Sequence, residues 1–367
     1  MLEFDAAVLH NAAEPLRIER VTLTEIGPDD VLVKVHAAGV CHTDWEVQQG
    51  SHPAPRPLVL GHEGAGVVVD VGRNVPKQRI GDHIVFSAYP NCEYCFYCRR
   101  DLPMLCEPVT QGHRSGRLPD GSSRLRLGDR SIGHFLGISS FAEYAVVPSR
   151  GAVRMPSELP LDLACLLGCA VVTGTGAVLR IAQVAANDIV SVIGCGPIGL
   201  NVVQGARLAG AALIIASDPD PSRRKLAAGF GATHLVDPAI DDVVSHVQRL
   251  TEGRGADHSF ETAGREATLQ AAFEAARPGG SVIILSKMAA QKTVNLRFGS
   301  LSSERRIRRS ALGGGHGEDD LPVLAQAYLE GRLLLDEMVT ARRQLSEVNE
   351  ALVAAGSGSV IRSVLTM

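Results

Sequence analysis

The stretch that most constrains this chain is Asp188–Leu200. An apolar, β-branched run, Ile189–Ile193, leads into Gly194-x-Gly196-x-x-Gly199 and then into a helix-forming segment. A bare three-glycine pattern occurs in many turns. Placed after a strand and before a helix, it specifies a tight strand-to-helix turn. There the first glycine permits the turn, the second admits a pyrophosphate, and the third allows close helix–strand packing. The helix N-terminus beyond it presents free N–H groups and a positive dipole end to an anion. Asp218 follows nineteen residues after Gly199, where a carboxylate would accept ribose hydroxyls and repel a 2′-phosphate. This predicts NAD rather than NADP, with Arg223 and Arg224 as the opposing influence. Further strands are predicted at Leu213–Ser217, His234–Val236, His258–Glu261 and Ser281–Leu285, with helices over Pro197–Ala209 and Arg223–Phe230 between them. Such alternation predicts an α/β fold with a doubly wound parallel sheet.

The first 150 residues have a different texture. Alternating or β-branched runs (Val31–Val35, Gly66–Val71) and frequent turn signals predict a β-rich, antiparallel or barrel-like region. From Cys92 to about Ile138 the apolar periodicity lapses, and a loop of that length needs a reason to be ordered. Cys92, Cys95, Cys98 and Cys106 supply one: four thiols within fifteen residues can close a tetrahedral metal shell and contribute folding free energy. An iron–sulfur cluster also takes four cysteines. Zinc is preferred because no electron-transfer partner is evident. Beyond residue 310, helices are predicted over Leu321–Gly331 and Ser346–Ala355 and a last strand over Val360–Leu365.

Composition narrows the class. At 367 residues the chain is long enough for two domains, and with 45% hydrophobic and 21% charged residues it reads as globular. A net charge of −4 argues against a nucleic-acid binder. No eighteen-residue apolar stretch predicts a membrane span, and the acidic N-terminus is unlike a signal peptide. A cytoplasmic setting follows as the expectation, in which clustered cysteines are metal ligands rather than disulfides. Cys41, His62 and Cys169 are too widely separated for spacing to join them. Their glycine-rich surroundings (Gly39–Asp44, Gly61–Gly66, Leu167–Ala170) still mark a candidate set of two thiolates and one imidazole with an open fourth position.

At these residues the chain resembles the zinc-dependent medium-chain alcohol dehydrogenases, in the long-loop, class I/III-like branch. GHEGAGVV, the four-cysteine lobe, GCAVVTG and VIGCGPIGL fall in that family's order from end to end. The resemblance implies a GroES-like catalytic domain of residues 1–170 and 310–367, with an NAD-binding Rossmann domain, 171–309, inserted and the active site in the cleft. It implies two zinc ions per chain: a catalytic one on Cys41, His62 and Cys169, and a structural one on the four clustered cysteines. Asp44 and Glu63 match carboxylates around the catalytic metal, and Thr43 the hydroxyl that meets the substrate oxygen. His42 and Arg362 match residues at the pyrophosphate and Arg223 one near the adenosine ribose. Thr173 and Ile198 match residues packing the nicotinamide. A homodimer acting on a small alcohol or aldehyde, with no nucleic-acid or membrane partner, is implied as well.

Two departures bear on the chemistry. Where family members end a proton relay in a histidine, this chain has Glu46. Where the glutathione-dependent formaldehyde dehydrogenase branch has an arginine before Val-Thr-Gln-Gly, it has Pro108, and the stretch Gly50–Pro55 lacks that branch's carboxylates. Ala88 stands where several members carry an aromatic, with Trp45, Phe135 and Leu136 as further pocket candidates. The expectation is therefore an NAD-dependent dehydrogenase of medium or bulky primary alcohols, aromatic or terpenoid. The alternatives are an S-(hydroxymethyl)glutathione dehydrogenase, or a non-catalytic NAD-binding regulator.

Overall fold

The computed structural model describes residues 1–288, 291–301 and 303–367. The chain forms two compact units, Met1–Cys169 with Gly315–Met367, and Ala170–Gly314.

The second unit is built on a six-stranded sheet whose neighbours all run parallel. Its order is His234–Val236, Leu213–Ser217, Ile189–Ile193, Ala256–Glu261, Ala276–Ile284 and Arg306–Arg309. The chain enters at Ile189–Ile193, winds to one side, then crosses back to the other. The C-terminal end of that central strand is therefore a topological switch point, where ligands bind in such sheets. The strands are apolar because helices cover them; Ile193, Ile215, Val236, Val247, Phe273 and Val282 share one core. Burying a side chain such as Phe273 contributes about 1.5–3 kcal/mol. The helix Pro197–Ala209 starts with proline in its first turn and stops at Gly210, whose φ of 81° few other residues accept. Asp218 lies just beyond its strand rather than ending it.

The first unit carries two largely antiparallel sheets. One has the order Arg130–Ser131, Leu125–Leu127, Arg17–Leu23, Leu2–Leu9, Leu58–Val59, Gly133–His134. The other has the order Ala152–Arg154, His83–Phe86, Glu63–Val71, Asp30–Val40, Arg362–Thr366, Val339–Gln344, with Tyr144–Pro148 also paired to Asp30–Val40. Pairing of Ser363 with Val40 brings the C-terminal strand beside Cys41. C-terminal helices run over Gly317–Leu329 and Val348–Ser357.

Two elements differ from the sequence-based expectation. The segment after Cys106 was expected to be irregular, but it opens with the helix Glu107–Ser115, ended by Gly116 in the left-handed region. Only Val109 and Gly112 of that helix are buried, so it shows no repeating apolar face. The strand Arg306–Arg309 was not expected either: it is a sheet edge with all four residues exposed, and three are arginines.

Candidate metal and dinucleotide sites

Cys41 sits where the strand Asp30–Val40 gives way to the helix His42–Gln49. Asp44, in the first turn of that helix, reaches back so that its Oδ2 accepts the Cys41 amide at 3.0 Å. Its Oδ1 meets His62 Nδ1 at 3.0 Å. The carboxylate thus fixes both the loop and the imidazole, and leaves His62 Nε2 for an ion. His62 is delivered by Gly61, whose φ of 90° and lack of a side chain against Phe141 require glycine. Cys169 arrives through the turn Cys165–Gly168, in which a Cβ on Gly168 would lie 2.3 Å from the Phe86 carbonyl oxygen.

The ligand atoms of Cys41, His62, Glu63 and Cys169 all lie within 4.8 Å of one another. Glu63 is fully buried, and neither of its oxygens finds a hydrogen bond among the described residues; Arg362 Nη2 comes to 3.3 Å of Oε1. Burial lifts its carboxyl to about 7, against the pull of Arg362. Burial also opposes charge on Arg362, yet Glu63 and the two thiols hold it above the ordinary range. Cys41 is drawn well below the usual thiol range, first by a hydrogen bond from Cys169, with burial opposing; Cys169 is pushed up by the same bond. His62 is raised by Asp44 in spite of burial. Two thiols, one imidazole and orphaned buried carboxylate oxygens suit a divalent cation that prefers N and S donors, namely zinc.

The four clustered cysteines form the second group. Their sulfurs lie within 4.8 Å of one another, and Cys92 Sγ and Cys98 Sγ are 3.9 Å apart. A tetrahedral shell with ~2.3 Å metal–sulfur bonds has edges of ~3.8 Å, so the spacing suits one ion rather than a cluster of several irons. Amides of Cys92, Cys95 and Cys98 point at Cys106, Cys92 and Cys95 sulfurs at 3.4, 3.4 and 3.5 Å, which favours thiolates. All eight cysteines are free of disulfides.

In the second unit, a cavity of about 250 Å³ is lined by Gly194, Gly196, Asp218, Arg223, Thr262 and Arg265, among others. Gly194 has a φ of 99°, and a Cβ on Gly199 would lie 1.9 Å from the Gly194 carbonyl oxygen, so both positions require glycine. Asp218 accepts the Cys195 amide on Oδ2 at 2.8 Å and the Asp220 amide on Oδ1 at 2.9 Å, which stiffens the turn around the cavity. Arg224 does not line the cavity; it holds the Asp218 carbonyl at 2.6 Å and Asp237 at 2.9 Å. Thr173 is buried on the helix Ala170–Gly176, and Ile198 is half-buried. Sequence reasoning missed Thr262 and Arg265. Their signal was position: they follow the strand on the far side of the switch point.

Around the first site, Thr43 and Glu46 are half-buried on the helix His42–Gln49, and His42 is exposed, its ring 4.8 Å from Trp45. Arg362 is turned inward, to Glu63 and to the Val40 carbonyl at 3.0 Å. Trp45, Phe135 and Leu136 meet in one apolar cluster, and the Phe135 ring stands edge-on to His62 at 5.5 Å. Ala88 is buried but outside that cluster.

Residues 27–157 match the family of the alcohol dehydrogenase GroES-like domain, and residues 197–329 that of the zinc-binding dehydrogenases. An S-(hydroxymethyl)glutathione dehydrogenase of Komagataella pastoris is 37% identical over 373 residues, covering all of this chain and 98% of its own. Among solved structures, an alcohol dehydrogenase zinc-binding domain protein from Burkholderia ambifaria superposes with a TM-score of 0.95 at 34% identity, covering 100% of this chain and 99% of its own. Benzyl alcohol dehydrogenase from Acinetobacter calcoaceticus does so with 0.94 at 29%, covering 100% of both chains.

Proposed function

The chain belongs to the zinc-dependent medium-chain alcohol dehydrogenase family, an NAD-linked oxidoreductase acting on CH–OH groups, and we propose that its substrate is a hydroxymethyl thiol adduct of the S-(hydroxymethyl)glutathione type. The observation that carries the substrate class is the end-to-end likeness to dehydrogenases bearing that name. It shifts the balance away from the bulky primary alcohol expected from the sequence. That second reading keeps specific support in Ala88, in Pro108, in the lack of a carboxylate over Gly50–Pro55, and in the likeness to a benzyl alcohol dehydrogenase.

Under either reading the chain's residues divide the work in the same way. Cys41, His62 and Cys169 would hold the catalytic zinc, and Cys92, Cys95, Cys98 and Cys106 the structural one. When bound, zinc supplies Lewis-acid polarisation of the substrate oxygen, and NAD supplies the hydride acceptor. Asp44 keeps the His62 proton on Nδ1. Glu63, paired with Arg362, offers a carboxylate that can approach the metal. Thr43 Oγ1 takes the hydroxyl proton, and Glu46 or solvent receives it onward. Asp218 favours NAD against the opposing charge of Arg223 near the adenosine ribose, while His42, Arg362, Thr173 and Ile198 contact the cofactor's other parts. A complete ligand set speaks for catalysis over a regulatory role. The same reading takes the protein as a cytoplasmic homodimer.

The deciding experiment is a steady-state assay with NAD and formaldehyde, with and without glutathione, beside benzyl alcohol. Glutathione-dependent turnover well above that with benzyl alcohol is the expected result. Turnover on benzyl alcohol with no response to glutathione would favour the second reading.

A further inference from the structure

The chain's one tryptophan stands beside a candidate cofactor contact. His42 and Trp45 are three residues apart on the helix His42–Gln49, a spacing at which helical side chains become neighbours. His42 is exposed and Trp45 half-buried, and their ring centroids lie 4.8 Å apart with planes at 42°. The helix Val348–Ser357 meets the pair with its last turn. There the Ala355 carbonyl oxygen lies 3.4 Å from His42 Nδ1. A carbonyl can only accept, so this bond needs a proton on Nδ1 and leaves Nε2 for another partner. As an imidazolium the ring keeps that bond and donates from Nε2, which suits a phosphate oxygen. The next residue, Gly356, makes room for the indole: a Cβ there would lie 2.4 Å from both Nε1 and Cε2 of Trp45. Ala355 and Trp45 also pack against the same apolar cluster. An exposed side chain ordinarily samples several rotamers. The His42 ring is instead held by an indole and by a carbonyl from a distant helix.

We propose that Trp45 is a positioning residue for cofactor binding: together with the Ala355 carbonyl it fixes the His42 ring before the pyrophosphate arrives. Ordering a side chain on binding costs affinity, and a ring held beforehand avoids that cost. The indole then belongs to cofactor capture rather than to the substrate wall. The inference rests on the reading that His42 meets the pyrophosphate, so the experiment tests the two separately.

ADP-ribose carries the pyrophosphate without the nicotinamide. Its dissociation constant is measured by calorimetry on the zinc-loaded wild type, on His42→Ala, Trp45→Leu, Trp45→Phe and Gly356→Ala, and on the double variant His42→Ala/Trp45→Leu. Zinc content and thermal midpoint are recorded on the same preparations. The expected result is a loss on the order of fivefold in Trp45→Leu. Trp45→Phe, whose ring can still cover the imidazole, should recover most of it. In the His42→Ala background Trp45→Leu should add nothing, a non-additivity that a merely structural role would not produce. Gly356→Ala, which helix propensity favours, should also weaken ADP-ribose, because its methyl displaces the indole. Additive losses in the double variant, or unchanged binding in Trp45→Leu while His42→Ala binds less well, overturn the proposal and leave the His42 contact standing. Unchanged binding in His42→Ala overturns the His42 reading and the proposal together. A changed preference between benzyl alcohol and 1-butanol in Trp45→Leu, with ADP-ribose binding unmoved, overturns the proposal and returns Trp45 to the substrate wall.

Discussion

The two cysteine groups of the first unit are built in opposite ways. Cys92, Cys95, Cys98 and Cys106 come from one short segment, use sulfur alone, and are steadied by amides of the same segment. Cys41, His62 and Cys169 come from three distant places and are surrounded by Asp44, Glu63 and Arg362, all at most 4% exposed. The local group is made of mutually perturbing thiols alone and can form as soon as its own segment folds. The dispersed group gathers buried charges, some of them without hydrogen bonds, and exists only when the sheet carrying Asp30–Val40, Glu63–Val71 and Arg362–Thr366 is complete. Such concentrations of perturbed, buried groups mark chemistry rather than support. Removing a ligand from each should therefore produce different failures.

The largest expected effect is in Cys169→Ser: turnover falls below detection, while circular dichroism and the thermal midpoint stay close to wild type. Zinc analysis should read one ion per chain rather than two. Cys98→Ser should fail as a fold instead. Loss of a ligand from a folding site removes several kcal/mol, and at ~2–4 °C per kcal/mol for a unit of this size the midpoint should drop on the order of 10 °C. If both variants lose the same stability and the same activity, the division between the groups is wrong. Asp44→Asn sharpens the contrast from outside the ligand set. It preserves shape but weakens the grip on His62 Nδ1, and outer partners of this kind are worth roughly 10–100-fold in activity or metal affinity. The four-cysteine group should keep its ion in that variant. Asp218→Asn tests the second unit alone. The structure recommends asparagine over alanine, because both Asp218 oxygens accept turn amides and asparagine keeps one of those two acceptors. Relative use of NADP over NAD should rise on the order of tenfold, about 1.4 kcal/mol, and an unchanged ratio would remove Asp218 from cofactor choice.

What was legible in the sequence follows the same local-versus-dispersed line. The glycine turn could be read because Gly194 and Gly199 answer to atoms a few residues away, and the four cysteines because a metal shell imposes its own spacing. The helix Glu107–Ser115 could not, since it buries too little to write a periodicity. Nor could the edge strand Arg306–Arg309, which obtains its hydrogen bonds from a neighbour without burying a face. Arg362, which the resemblance places at the cofactor pyrophosphate, also faces Glu63 in the structure, a pairing created by strand register between residues 299 positions apart in sequence.

The smallest effect concerns the long segment that follows the four cysteines, and it separates acid sensitivity of the fold from acid loss of metal. His134 is buried on the strand Gly133–His134; its Nε2 accepts the Arg124 amide at 3.3 Å, and Nδ1 has no hydrogen bond among the described residues. Burial, aided by Arg124 and Arg117, holds the ring to about 3. An unfolded histidine titrates near ~6.5. The folded pKa of this base lies below the unfolded one, so the unfolded chain binds the proton more readily. The stability contribution is full above pH ~6.5 and declines as pH falls from there toward 3, by up to about 1.4 kcal/mol per pH unit. Metal release by thiolate protonation acts in the same direction, so wild type alone cannot distinguish them. His134→Gln keeps an acceptor for the Arg124 amide and removes the titration while leaving all seven candidate zinc ligands in place. Denaturant midpoints of the two proteins, measured from pH 7.5 to 5 with zinc monitored, should converge as pH falls, the variant losing less stability than wild type at equal metal content. Parallel curves would mean that His134 is solvated enough to protonate in place, and that the acid sensitivity of this unit resides in its thiolates.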